Sequence, residues 1–133
     1  LQDSRGKDTP PVTIVAHSMG TFIANELVRR FPSLRIRNFV YMAGADSIQS
    51  TLDSVIPYLS RPENSDTMFY NLALHPQAEL EEMSGGGFAP RGTLLVWIDE
   101  LFTTPHTPMD RTVGRWANLL AAFGDIGDPG QGR

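Results

Sequence analysis

The chain has 133 residues, with 11 Lys plus Arg against 15 Asp plus Glu and a formal net charge of -4. That length suits one domain, and without a basic excess there is little to neutralise a phosphate backbone, which argues against nucleic-acid binding. With 41% hydrophobic and 20% charged residues the composition is globular, and the absence of Cys excludes disulfides, thiolate zinc sites and a cysteine nucleophile.

Residues 1–11 are polar and end in Pro10-Pro11, an exposed lead-in. Residues 12–16 (VTIVA) are a short β-branched run, the mark of a buried strand in a parallel sheet. His17-Ser18-Met19-Gly20 forms a tight connector into a helix over 21–31, where Ile23, Leu27 and Phe31 share a stripe with Ala24 and Val28 beside it. Pro32 stops that helix. Residues 36–43 read as a second strand, 47–60 as a helix broken or bent near Pro57, and 67–74 as a third strand running into His75-Pro76. A short acidic helix over 77–83 precedes a loop that contains Gly85–Gly87. Residues 93–102 (TLLVWIDELF) suit either a fourth strand or a buried helix, and periodicity does not separate the two. A helix over 112–123 places Val113, Trp116, Leu120 and Phe123 on one core-facing stripe, with Asp110 or Thr112 as its cap. The last ten residues, rich in Gly, form a frayed tail. Alternation of strand and helix predicts an α/β domain with a mostly parallel sheet, sandwiched as three layers.

No apolar run is long enough to cross a bilayer and no basic-then-apolar leader opens the chain, so the sequence reads as soluble, with the cytoplasm favoured. Leu1 in place of Met reads as processing, truncation or partial capture of a longer product.

The chemistry concentrates in residues 12–27. A β-branched strand ends at Ala16, Ser18 sits in a sharp turn, and a helix begins within two or three residues. Such a turn pushes the Ser hydroxyl out at the carboxyl edge of the sheet, where ligands bind in open α/β folds. It also brings the positions two before and two after the Ser together, so both must be small; they are Ala16 and Gly20. The helix points its amino end at the Ser, and the backbone N–H of Met19 faces a developing oxyanion.

This segment resembles the nucleophile elbow of the α/β-hydrolase superfamily, G-x-S-x-G, with Ala16 in place of the first Gly. The resemblance extends over residues 12–123 and implies the second half of that fold. The eleven preceding residues hold no counterpart of its early strands or Gly-rich oxyanion loop. The resemblance therefore implies a serine hydrolase acting on a carboxylic ester or related acyl bond of a small-molecule substrate, with no cofactor and no metal. A strand 12–16 lacking its usual neighbour exposes an apolar edge, so another chain, a twin chain or a missing segment is expected to pair with it.

A serine nucleophile needs a base and an acid to orient it, and the superfamily's chain order is Ser, acid, His. Ser18, Asp46 and His75 each follow one of three successive strands, and this is the first assignment. A second takes 93–100 as a strand, Asp99 as acid and His106 as base, with Glu100 as a further acid; the base lying outside the chain is a third. His17 is expected to point away from the hydroxyl and to serve packing or hydrogen bonding around the turn. Competing readings give Asp46 a helix-capping role and His75 a turn role before Pro76. Two other functions stay open: a non-catalytic hydrolase-like subunit that completes its sheet with another chain, and a nucleotide binder, disfavoured because the first turn lacks the glycine fingerprint.

Overall fold

A computed structural model describes residues 10–81 and 92–124. The lead-in through residue 9, the Gly85–Gly87 loop and the tail from residue 125 lie outside the described residues. Three strands, β1 (Val12–His17), β2 (Ile36–Met42) and β3 (Met68–Leu72), form a parallel sheet in chain order. Val15 lies opposite Val40, and Val40 opposite Tyr70. Helix α1 (Gly20–Arg30) crosses from β1 to β2 and helix α2 (Ile48–Leu59) from β2 to β3. This is a small α/β domain.

Both helices pack on one face of the sheet, as two successive crossovers of the same hand require. Ala16, Phe39 and Tyr41 meet Ala24 and Val28 of α1 and Ile48, Val55 and Tyr58 of α2. The Phe39 ring stands edge-on to Tyr41 and Tyr58 at centroid distances of 5.8 and 6.1 Å, the arrangement that aromatic quadrupoles favour. The Tyr58 hydroxyl donates to the Leu34 carbonyl at 2.5 Å and accepts the Ile36 N–H at 3.2 Å, so its polar tip is satisfied inside the core.

The opposite face carries Val15, Met42, Met68, Tyr70 and Leu72, all exposed. Among the described residues the expected three layers are therefore two, and β1 buries alternate residues rather than both of its faces. The α1 stripe also departs from expectation. Thr21, Ala24, Asn25 and Val28 are buried, whereas Ile23 is 74% and Phe31 57% exposed. Helix α2 continues unbroken through Pro57, which lies in its last turn. Pro57 and the residue four before it, Asp53, are both exposed, so the carbonyl that the proline cannot bond faces water.

Beyond β3 come α3 (Pro76–Glu81), α4 (Leu94–Trp97) with a wider π-type turn over Ile98–Phe102, and α5 (Trp116–Phe123). The ambiguous stretch 93–102 is thus helical, which removes the strand on which the Asp99–His106 assignment depended. Thr93 caps its start, accepting the Val96 N–H at 3.4 Å. Helix α5 begins four residues later than its pattern suggests, because 112–115 bond elsewhere. The Val113 N–H donates to the Asp46 carbonyl (2.9 Å), the Gly114 N–H to Gly44 (2.8 Å), and the Leu74 N–H to Gly114 (2.7 Å). The N-cap is Arg115, neither Asp110 nor Thr112. On α5 the side chains against the core are Leu119 and Ala122, while Leu120 and Phe123 are exposed.

Candidate active site

The turn between β1 and α1 is as abrupt as the sequence implies. Ser18 adopts a φ of 49°, in the left-handed region that a side chain disfavours. Its N–H still continues the sheet ladder, donating to the Met42 carbonyl at 3.0 Å. One residue later Met19 is back in right-handed helical geometry as the N-cap of α1. Among the described residues nothing accepts the Met19 N–H, and the Ser18 hydroxyl has no hydrogen-bond partner. A Cβ placed on Gly20 would lie 3.8 Å from the Ala16 Cβ, so the small positions either side of Ser18 do face each other, at ordinary contact distance.

Strand β2 ends in the same manner. Ala43 has a φ of 47° and donates its N–H to the Leu72 carbonyl at 3.0 Å. Two consecutive parallel strands thus end in a left-handed non-glycine residue, a kind of strain that persists only where surrounding bonds over-determine it. Here the Ser18 carbonyl accepts three donors: the Thr21 N–H at 3.2 Å, the Thr21 hydroxyl at 2.8 Å and the Ala45 N–H at 3.1 Å.

Because the strands are parallel, Ser18, Asp46 and His75 all lie at the carboxyl edge of the sheet. The bonding of the last two differs from that of a catalytic pair. Asp46 is 6% exposed and its carboxylate accepts the Asn25 amide (2.7 Å), the Ser50 hydroxyl (2.8 Å) and the Ser47 N–H (2.8 Å). The Asn25 carbonyl oxygen in turn accepts the Tyr41 hydroxyl at 2.6 Å. Burial, and then the negative charge of Asp46, push the Tyr41 phenol pKa well above its ordinary value, so it stays protonated as the donor. Exposed His75 accepts the Gln77 N–H on Nδ1 at 3.2 Å, a cap for α3.

The members of the second pair are likewise bonded to other groups. Asp99 is buried and accepts the Thr112 N–H (2.9 Å), the Thr112 hydroxyl (3.1 Å), the Asn118 amide (2.7 Å) and the Arg115 guanidinium (2.9 Å). His106 is exposed, with its backbone N–H on Asp110 at 3.1 Å. Glu100 lies near the surface, with Arg111 at 3.4 Å. His17 is exposed on β1.

Sequence reasoning missed Arg115. Its guanidinium bridges Asp99 and Glu79 (2.8 Å), tying the turn after α4, α3 and the start of α5 together. Burial works against its charge, but the hydrogen bonds and fields of the two carboxylates outweigh this and hold its pKa above the usual value. The loop 112–115 was missed as well; it crosses the same carboxyl edge and bonds Gly44, Leu74 and Asp46. No short-range pattern announces either feature, since Arg115's partners lie 16 and 36 residues away in the chain and those of the loop further still.

Among the described residues no three His, Asp or Glu side chains gather as a metal site needs, and no helix is long and apolar enough to cross a membrane. No protein-family model, curated protein or solved structure matches this chain.

Proposed function

We propose that Ser18 is the nucleophile of a serine hydrolase of α/β-hydrolase type, cleaving a carboxylic ester or related acyl bond. The observation that carries this reading is the left-handed Ser18 between β1 and the amino end of α1, with its hydroxyl and the neighbouring Met19 N–H both uncommitted. In the reaction the Ser18 oxygen attacks the acyl carbonyl. A histidine takes the hydroxyl proton and returns it to the departing alcohol. The Met19 N–H and the α1 dipole hold the oxyanion, and water then releases the acid. His75 is the preferred base, since it shares the carboxyl edge with Ser18, and Asp46 the preferred acid. Engaging them requires His75 to give up its bond to the Gln77 N–H and Asp46 to turn from its present donors. A fluorophosphonate probe tests the reading. Covalent mass addition mapped to Ser18, lost in Ser18→Ala, is expected; an unlabelled folded chain refutes it.

A second reading, a non-catalytic hydrolase-like subunit that completes its sheet with another chain, has its own support. Among the described residues β1 pairs on one side only, Val15 on it is 60% exposed, and the Ile23–Phe31 stripe of α1 is uncovered. Parallel strands are ordinarily covered on both faces, and an open apolar edge invites pairing. Sedimentation separates the cases: self-association abolished by Val15→Lys favours a twin chain covering the open face beside β1, and a stable monomer at tens of micromolar goes against a twin chain there.

A further inference from the structure

We propose that Thr21 is the positioning residue of the elbow, its hydroxyl clamping the strained Ser18 to the end of β2. The inference rests on the reading of Ser18 as a nucleophile and concerns what holds that nucleophile in place. Thr21 is fully buried in the first turn of α1, where a hydroxyl is unusual unless it is bonded. Its Oγ1 donates to the Ser18 carbonyl at 2.8 Å and accepts the Asp46 N–H at 3.1 Å. One oxygen thus joins the residue after β1 to the segment after β2. The methyl group is seated as well: a Cβ on Gly44 would come within 3.0 Å of the Thr21 Cγ2, so the bare glycine makes room for it.

The clamp has a rigid far end. Asp46 is anchored through its carboxylate to Asn25, Ser47 and Ser50, and Asn25 to Tyr41 in the middle of the sheet. A chain of bonds therefore runs from β2 through Asn25 and Asp46 to Thr21, buried up to that point, and ends in a part-buried bond to the Ser18 carbonyl. Polar networks of this kind, when every member is satisfied, impose one geometry. The Ser18 carbonyl sits one bond from the backbone torsion that aims the hydroxyl. Without the hydroxyl the carbonyl keeps the residue-21 and Ala45 N–H donors but loses its shortest bond, and the Asp46 N–H loses its acceptor. The loosened φ shifts the nucleophile off its line of attack, where a misplacement of about an ångström costs up to about a hundredfold in rate.

The test compares Thr21→Val, which keeps the shape and removes both donor and acceptor, with Thr21→Ser, which keeps the hydroxyl. The readouts are the rate of fluorophosphonate labelling at Ser18 and amide hydrogen exchange at Ala45 and Asp46. Expected are labelling slower by about tenfold or more in T21V, labelling within about threefold of wild type in T21S, and faster exchange at Asp46 in T21V alone. A folded T21V that labels at the wild-type rate, or a T21S that falls as far as T21V, overturns the inference. If the wild-type chain does not label, the nucleophile reading has failed and exchange alone decides the clamp; unchanged Asp46 protection in T21V then overturns it. Should T21V not fold, Thr21→Ala, which also removes the donor and acceptor, takes its place, and the same two outcomes decide.

Discussion

Gly114→Ala is the sharpest test of how the carboxyl edge is assembled. Gly114 lies in the loop that crosses the end of β2, and a Cβ built on it would meet the Gly44 nitrogen at 2.3 Å, the Ala43 carbonyl carbon at 2.4 Å and the Gly44 oxygen at 2.6 Å. Ordinary contacts begin at 3.4 Å, so the loop and the strand end must separate by about an ångström, and all three obstacles are backbone. Its φ is not in the left-handed region, so the effect is steric rather than torsional. Overpacking of this kind costs about 1–3 kcal/mol. Separation also strains the bonds from Gly114 to Gly44 and from Val113 to Asp46, each worth about 1 kcal/mol. The sum is about 3–5 kcal/mol, or a melting temperature lower by about 10–20 °C for a chain of this size. Urea unfolding followed by the fluorescence of Trp97 and Trp116 reads it directly. A midpoint corresponding to less than about 0.5 kcal/mol of change would show that the loop does not rest on β2 as described.

The elbow's own glycine should behave in the opposite way. At Gly20 an added methyl meets only Ala16, at 3.8 Å, so Gly20→Ala is expected to raise stability by about 0.4–1 kcal/mol through the unfolded chain; a lowered urea midpoint contradicts this. Arg115→Met strands the buried carboxylates of Asp99 and Glu79 without their cation, and should cost about 3–5 kcal/mol. Equal stability of mutant and wild type at neutral pH would show that the cluster is not formed. The Tyr41 pKa is raised in the folded chain, so its contribution is complete below the ordinary tyrosine range and is lost as pH climbs through and beyond it. Stability should therefore fall above about pH 10, and the Tyr41 phenol should stay silent in the 295 nm titration until unfolding. A titration in which every tyrosine ionises normally while the chain stays folded rejects the buried Tyr41–Asn25 bond.

Much of the first half of the domain was legible because its signals are local. A β-branched run, a Ser between Ala16 and Gly20, and a helical pattern define β1, the turn and α1 within nineteen residues of one another. The left-handed Ser18 follows from that short-range geometry. Periodicity also placed β2, α2 and β3: β2 and α2 bury residues at their own period against one core, and β3 half-buries Phe69 against it. It did not reveal that the Ile23–Phe31 stripe would be left outside, because a pattern tells which residues share a face and not whether anything packs there.

The second half was decided by long-range bonding. The helical pattern over 112–123 lost its first turn to the ends of β2 and β3, whose open carbonyls and N–H groups offered 112–115 better partners than the helix did. Asp99 and Glu79 found Arg115 across stretches of chain that no motif spans, and Asp46 was drawn inward by Asn25, Ser47 and Ser50. Sequence alone determined the tight turn that holds Ser18 in a left-handed conformation, because its steric demands are met by neighbours a few residues away. Only the tertiary structure decided which carboxylates are committed to other groups, because a buried charge takes whichever donors the packed chain brings within reach.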